Sequence, residues 1–265
     1  SFEGKNVPIH WHNDLEINLI REGEAVFQVY QKSYRVRTGE GFLLNRNVPH
    51  SCSSPGNEHV RYSTILVRPD FLYGDFGSDV ERKCFQPFLQ NSAIPCIHLT
   101  GFDENGKEIL QKLNQVEEAF DRKRFCYELK IKGLLCEAFA MILYGHRQEL
   151  TKFVPANLQE LERLEKMLNY LNMHFTEVIS LQDLADQVHL SREVCCRLFK
   201  KMTGKTITGY LEEYRVNKSF SLVQSGQYSM TQITEMVGFS NPSRFASAFR
   251  KRFGCNPGEY NSVKH

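Results

Sequence analysis

The alternation of apolar and polar residues changes character partway along the chain. Up to about residue 100, apolar and aromatic residues come in short runs at 16–20, 25–30, 33–37, 41–44 and 60–67. Turn chemistry separates them: Arg-Glu-Gly-Glu at 21–24, Thr-Gly-Glu-Gly at 38–41 and Ser-Ser-Pro-Gly-Asn at 53–57. Short strands at this spacing predict a small antiparallel barrel or sandwich. From Glu104 the period becomes helical, with Ile109, Leu113, Val116 and Phe120 on one stripe. A second helix is expected over 125–146, almost continuously apolar across 134–144. Burial against the strands needs only one apolar face, so this helix is read both as packed on the barrel and as meeting its counterpart in a homodimer. Pro155 interrupts the pattern within 151–157, which is taken as a linker. The expected organisation is an N-terminal domain at 1–150 and a helical domain at 158–265, the latter opening with a helix at 158–175.

The C-terminal part holds a degenerate repeat. Leu181, Leu184, Ala185, Val188, Leu190 and Ser191 answer to Met230, Ile233, Thr234, Val237, Phe239 and Ser240. A helix follows each set. One carries Leu198-Phe199-Lys200-Lys201 and closes at Gly204; the other carries Ala248-Phe249-Arg250-Lys251 and closes at Gly254. A short helix, a tight turn and a second amphipathic helix make a helix-turn-helix. Gly238 gives the second turn its backbone freedom. Cys195, Leu198, Phe199 and Met202 share one face and must pack inward, which turns Arg192, Glu193, Cys196, Arg197 and Lys200 outward. In the second copy Phe245, Ala248 and Phe249 face in, with the stem of Arg252 at the core edge. Ser243, Arg244, Ala246, Ser247 and Arg250 face out, with Lys251 beside them. Guanidinium, ammonium and hydroxyl groups of this kind reach base edges and phosphates. A connecting helix at 207–223 would span roughly 26 Å. Such a strut could hold two reading helices about 34 Å apart, in successive major grooves.

Charge sharpens this reading. The net charge is only +2, yet twelve basic residues face five acidic ones from Ser191 onward, while the rest holds 21 against 26. A basic C-terminal third on an acidic body suits a polyanion-binding module. The eight cysteines include no CxxC pair, and a chain of 265 residues can build a core without staples. Reduced thiols in a cytoplasmic protein are therefore expected. In the vicinal pair Cys195–Cys196, the first fits a core position, which favours packing over redox sensing. No apolar run approaches the roughly 20 residues of a membrane span, and no basic segment followed by an apolar run opens the sequence. Neither membrane insertion nor secretion is expected.

With these residues in place, the sequence resembles the AraC/XylS family of transcription regulators over 158–260. The likeness is carried by 181–191, by Arg197-Leu198-Phe199-Lys200-Lys201-Met202-Thr203-Gly204, by Tyr210-Leu211 and by Val237-Gly238-Phe239-Ser240-Asn241. It continues through Phe245, Phe249-Arg250-Lys251-Arg252-Phe253-Gly254 and 257–260. The resemblance implies double-stranded DNA as partner, with Glu193, Cys196, Arg197, Asn241, Ser243, Arg244 and Ser247 facing bases, and it admits a contact with RNA polymerase. Thr234 stands where the family usually has Ala.

The N-terminal part resembles the cupin-type barrel that such regulators carry as a sensor. Gly4, His10-Trp11-His12, Glu16 and Gly23 match the spacing of the first cupin motif. Gly39, Gly41, Pro49 and His50 supply part of the second, without its PxG and without an Asn four residues after His50. The implied fold class is α+β multidomain: a cupin-like antiparallel β-barrel with two following helices, then an all-α domain with two helix-turn-helix motifs. Strand parity puts His10, His12, Glu16 and Asn18 on one face; if that face is interior, its polar groups need a ligand, water or metal. The expected effector site is His10, His12, Glu16, Asn18 and His50, with Phe27 and Tyr34 as walls, suited to a sugar or other hydroxylated metabolite. His10, His12, Glu16 and His50 are also metal-binding types. The broken second motif and the family resemblance nevertheless point to a metal-free pocket, no cofactor and no enzymatic activity. Two alternatives stay open: a metal-dependent cupin enzyme fused to a DNA-binding domain, and a barrel that only dimerises. In the expected mechanism, effector occupancy changes how the barrel, or the helix at 125–146, meets the DNA-binding half. That shifts the population able to grip two half-sites.

Overall fold

The computed structural model describes residues 2–3, 7–55, 59–152, 154–155 and 157–262. Gly4 of the motif, Gly56 and Asn57 of the turn at 53–57, and Phe153 and Ala156 of the expected linker lie outside the described residues. The chain divides into two compact units, Ser1–Asn157 and Leu158–His265.

In the first unit, the described strands are β1 (Phe2–Glu3), β2 (Val7–His10), β3 (Leu15–Glu22), β4 (Glu24–Val29), β5 (Lys32–Arg37), β6 (Gly41–Leu44), β7 (His50–Ser53), β8 (Arg61–Val67) and β9 (Cys96–Leu99). They form two antiparallel sheets, in the orders β1-β8-β3-β6-β9 and β2-β7-β4-β5. β3 is buried on both faces, and its alternation sorts residues between two cores. Leu15, Ile17 and Leu19 join Leu113, Phe139 and Ile142. Ile20 joins Phe27, Phe42 and Tyr62. Glu16 and Asn18 have the parity of Ile20, so two polar side chains enter the second core.

The strands β2, β7 and β9 escape sequence reading. β7 is His-Ser-Cys-Ser, a period-two burial pattern written in polar letters. β2 carries Pro8, which suits its place at the sheet edge. The reading of residues 1 to about 100 as strands also needs correction. Helix α1 (Pro69–Tyr73) is followed by a π-helical turn, Glu81–Phe85, that runs into α2 (Gln86–Leu89). Leu72, Phe85, Phe88 and Leu89 from these pieces close the first core.

Helices α3 (Glu104–Arg122) and α4 (Tyr127–Gly145) follow. Asp103 caps α3, its Oδ1 accepting from Gly106 N at 2.7 Å. Ile109, Leu113 and Val116 are buried as their spacing predicts, but Phe120 is exposed at the end of the stripe. α4 buries Leu135, Ala138, Phe139, Ile142 and Leu143 and leaves Leu129 and Tyr144 exposed. α5 (Arg147–Leu150) ends this series.

The second unit is helical: α6 (Leu158–Met173), α7 (Leu181–Gln187), α8 (Arg192–Thr203), α9 (Ile207–Ser225), α10 (Met230–Met236), α11 (Pro242–Phe253) and α12 (Pro257–Ser262). Local chemistry sets the boundaries. Ser180, Ser191, Thr206, Ser229 and Asn241 cap helix starts with a side-chain oxygen. Gly204, Gly226 and Gly254 close α8, α9 and α11 in the left-handed region. One pairing of the repeat shifts. Ser240 does not start α11; Asn241 does, with Pro242 in the first helical turn, so the second turn is one residue longer than the first. Thr234, the departure from Ala, is buried and donates its hydroxyl to Met230 O at 2.6 Å.

Candidate DNA-reading faces and histidine cluster

The two helices that follow the turns have the same exposure profile. The burial of residues 191–200 recurs at 241–250 position by position, except that Val194 is half-buried and Arg244 exposed. Cys195, Leu198, Phe199 and Met202 are buried on α8, as are Phe245, Ala248 and Phe249 on α11. Arg252 lies half-buried at the core edge and donates from Nε to Asn217 Oδ1 at 3.2 Å. On the opposite faces, Arg192, Glu193, Arg197, Lys200, Ser243, Arg244, Ser247, Arg250 and Lys251 are exposed, and Cys196 is half-buried.

These side chains are not equivalent. Asn241 Oδ1 accepts from Arg244 N at 2.8 Å to cap α11, which leaves Nδ2 as its donor for an outside partner. Arg244 Nε stands 3.8 Å from Glu212. Lys201 turns back to Glu160 at 2.7 Å and Lys205 to Glu213 at 2.5 Å. Among the described residues, Arg197, Lys200 and Lys251 make no ion pair. They are exposed basic side chains without a carboxylate partner, the condition under which phosphate displaces little else. α9, with 19 residues, joins the two copies; at 1.5 Å per residue it spans about 28 Å. Arg215 on α9 donates to Phe175 O at 2.6 Å and Glu177 O at 2.7 Å, latching the strut to the turn after α6. Nothing in the repeat pattern signalled that latch.

In the first unit, the sheets bring the predicted polar residues together. His12 Nε2 lies 2.8 Å from Glu16 Oε2 and His50 Nε2 3.3 Å from the same oxygen. The His50 contact lacks hydrogen-bond alignment, so His50 Nε2 is a buried atom without a hydrogen-bond partner. The His10 and His50 rings are 4.3 Å apart, on the paired strands β2 and β7. Asn18 Nδ2 donates to Glu16 Oε1 at 2.7 Å. Thr64 Oγ1 donates in turn to Asn18 Oδ1 at 2.8 Å. Thr64 was missed from sequence because its partnership depends on the pairing of β8 with β3, 46 residues apart.

The cluster polarises its own members. Burial raises the Glu16 carboxyl, but hydrogen bonding from His12 and the other neighbours prevails and holds it well below the usual carboxylate range. His12 is raised, chiefly by its bond to Glu16. His10 is lowered, first by burial and then by His50. The two expected walls stand apart in character. Phe27 is fully buried and stacked on Phe42 at 4.7 Å, as core packing. Tyr34 is half-buried, with its ring 5.2 Å from that of Phe42. Four donor groups, those of His10, His12, Glu16 and His50, lie within 4.8 Å of one another.

A β-sheet unit with a converging polar cluster, followed by paired helix-turn-helix units with cationic outer faces, is the architecture of a DNA-binding protein joined to a second, β-rich domain. Comparison with known proteins narrows the class. Residues 1–139 match the family model for an AraC-like ligand binding domain, and 184–262 match a helix-turn-helix domain. The chain is 31% identical over 257 residues to the HTH-type transcriptional activator RhaR of Mannheimia succiniciproducens, covering 96% of this chain and 87% of that one. It is 28% identical over 258 residues to the uncharacterized HTH-type transcriptional regulator YdeC of Bacillus subtilis, covering 97% and 87%. Among solved structures, fatty-acid-bound ToxT of Vibrio cholerae aligns with a TM-score of 0.45 at 16% identity, covering 97% of this chain and 89% of that one. The chain belongs to the AraC family of transcription regulators. No described helix is long and apolar enough to cross a membrane.

Proposed function

We propose that this regulator reads duplex DNA through α8 and α11, and that a small polar effector bound at the histidine cluster controls it. The observation that carries the first part is the recurrence of one exposure profile on both helices, with unpaired Arg197, Lys200 and Lys251 on the outer faces. In this reading Arg192, Glu193, Cys196, Arg197 and Lys200 serve one major groove. Asn241, Ser243, Arg244, Ser247, Arg250 and Lys251 serve the next. A bidentate Arg197–guanine contact is worth about 1–3 kcal/mol of discrimination. Arg197→Ala is therefore expected to narrow the preference for an operator over scrambled DNA by about 5- to 150-fold, read by competition binding. An unchanged ratio would remove Arg197 from the base-reading set.

His10, His12, Glu16, Asn18 and His50 form the proposed effector site, with Tyr34 as a proposed wall; Phe27 contributes core support. Alternating donors and acceptors favour a hydroxylated metabolite, and the role is sensing rather than catalysis. A ligand that binds only the folded state raises its stability by mass action. A screen of sugars and polyols against chelator-treated full-length protein is expected to raise Tm for at least one compound, and His12→Ala is expected to abolish that shift. The apolar residues left exposed on α4 support a homodimer, and the free cysteines support a reducing, cytoplasmic setting.

A further inference from the structure

We propose that the turn at Asn91–Ser92 is a clasp for the linker that precedes α6, and that the loop joining β6 to β7 couples its closure to the histidine cluster. The coupling deepens the effector reading, on which it rests; the clasp itself stands on hydrogen bonds within the first unit.

Ser92 N donates to Val154 O at 2.7 Å, and Ser92 Oγ donates to the same oxygen at 3.0 Å. Asn91 uses both ends of its amide. Its Oδ1 accepts from Val154 N at 3.0 Å, and its Nδ2 donates to Lys152 O at 3.4 Å. An antiparallel bridge between Asn91 and Pro155 completes the docking. Asn91 is 2% exposed, and its Oδ1 also accepts from Ala93 N at 3.0 Å, so its own turn orients the amide. The linker adds little apolar burial, since Val154 is exposed. Polar docking with few buried apolar contacts opens at low free energy, which gives the linker a closed and an open state. The two differ in tether length. α5 ends at Leu150 and α6 begins at Leu158. A closed clasp leaves positions 156 and 157 between the units, a reach of about 7 Å. An open clasp frees 151–157, a reach of about 24 Å, and with it the range over which the DNA-reading unit can search for its sites.

The base of the clasp is braced from the cluster side. Asn45 follows β6 and is 4% exposed. Its Nδ2 donates to Phe88 O at 2.8 Å and to Ile94 O at 3.2 Å, and its N donates to Pro95 O at 2.9 Å. Arg46 Nε donates to Leu89 O at 3.3 Å. These bonds hold both ends of the segment that carries Asn91 and Ser92. The same loop then meets two cluster histidines. Asn47 N donates to His12 O at 2.8 Å, and Val48 O accepts from His50 Nδ1 at 2.8 Å. A ligand that immobilises His12 and His50 therefore immobilises this loop and favours the closed clasp. The physical warrant is one two-state element, the linker, whose equilibrium both the cluster and the clasp bias.

The test uses the full chain under native, reducing conditions. Trypsin cleavage after Lys152 and hydrogen exchange of the linker peptide both follow the open population when opening is fast. Ser92→Ala removes a linker bond without touching the cluster, and should speed both by about 2- to 10-fold, the contribution of one hydrogen bond. Asn45→Asp places an acceptor against the Phe88 and Ile94 carbonyls, and should speed both by at least as much, with exchange in α3 at the parental rate. Should Asn45→Asp fail to fold, His12→Ala at the half-buried cluster position carries this arm, with the same expected acceleration. Parental rates in Ser92→Ala overturn the clasp. Faster cleavage in Ser92→Ala with parental rates in Asn45→Asp and His12→Ala overturns the coupling. Faster cleavage in every variant, with no sugar or polyol raising Tm, upholds the clasp and its brace and removes the effector reading instead.

Discussion

Raising monovalent salt from about 50 to about 200 mM is expected to weaken duplex binding by about 1000-fold. The size follows from counterion release, which scales with the number of phosphates neutralised. Arg192, Arg197 and Lys200 on α8 and Arg244, Arg250 and Lys251 on α11 are all exposed. If these six cations each meet one phosphate, the slope of log affinity against log salt is about −5. Base-contacting arginines lower that count, so the slope also apportions the six between phosphate and base. Electrophoretic or anisotropy titrations at several salt concentrations measure it. A slope shallower than about −2 would mean that one helix at most engages DNA, and the paired-groove account would fall. Lys200→Gln and Lys251→Gln should each flatten the slope by about one unit without changing sequence preference.

Gly238→Ala is expected to destabilise the C-terminal unit by about 3 kcal/mol or more. Gly238 has a φ of +77°, a region costly for residues with a Cβ. Strain is the smaller part. A Cβ there would lie 2.7 Å from Thr176 Cα and O and 2.8 Å from Phe175 O, all backbone of the segment after α6. The same segment accepts the Arg215 hydrogen bonds, so the clash also strikes the latch that orients α9. Urea unfolding read by circular dichroism at helical wavelengths follows the helices of both units, whereas fluorescence of the single tryptophan, Trp11, follows the other unit, so a midpoint shift seen by dichroism and not by fluorescence belongs to this one. The first turn supplies the contrast. His189 occupies the corresponding left-handed position with φ 53°, and His189→Gly should be neutral or stabilise by up to about 1 kcal/mol. An unfolding midpoint for Gly238→Ala equal to that of the parent would show that the segment at 175–176 yields easily, and the rigid-turn argument would fail.

The contrast between these two turns shows what kind of information a sequence carries. Helical period alone placed Cys195, Leu198, Phe199 and Met202 inside and Arg197 and Lys200 outside, because a helix fixes the angle between residues a few positions apart. The starts and stops were equally local, set by Ser, Thr and Asn caps and by Gly. The one-residue shift from Ser240 to Asn241 arose where two capping residues stand side by side, and Pro242, suited to the first helical position, makes Asn241 the cap. Strands with apolar alternation, such as β3 and β4, were legible for the same reason. β7 was not, since His50 and Cys52 are buried by the partners they meet rather than by an apolar pattern of their own.

By itself, then, the order of residues determined the helix faces, the repeat, the charge asymmetry and the family, because each rests on neighbours within a turn or two of chain. Only the tertiary structure decided that His10, His12, Glu16 and His50 converge on one point. They come from β2, the loop after it, β3 and β7 in two different sheets. It also decided that Phe27 is core and that Thr64 completes the Glu16–Asn18 chain. Those facts depend on which strands pair and in what register. Pairing is set by contacts between residues far apart in the chain, and no local period encodes it.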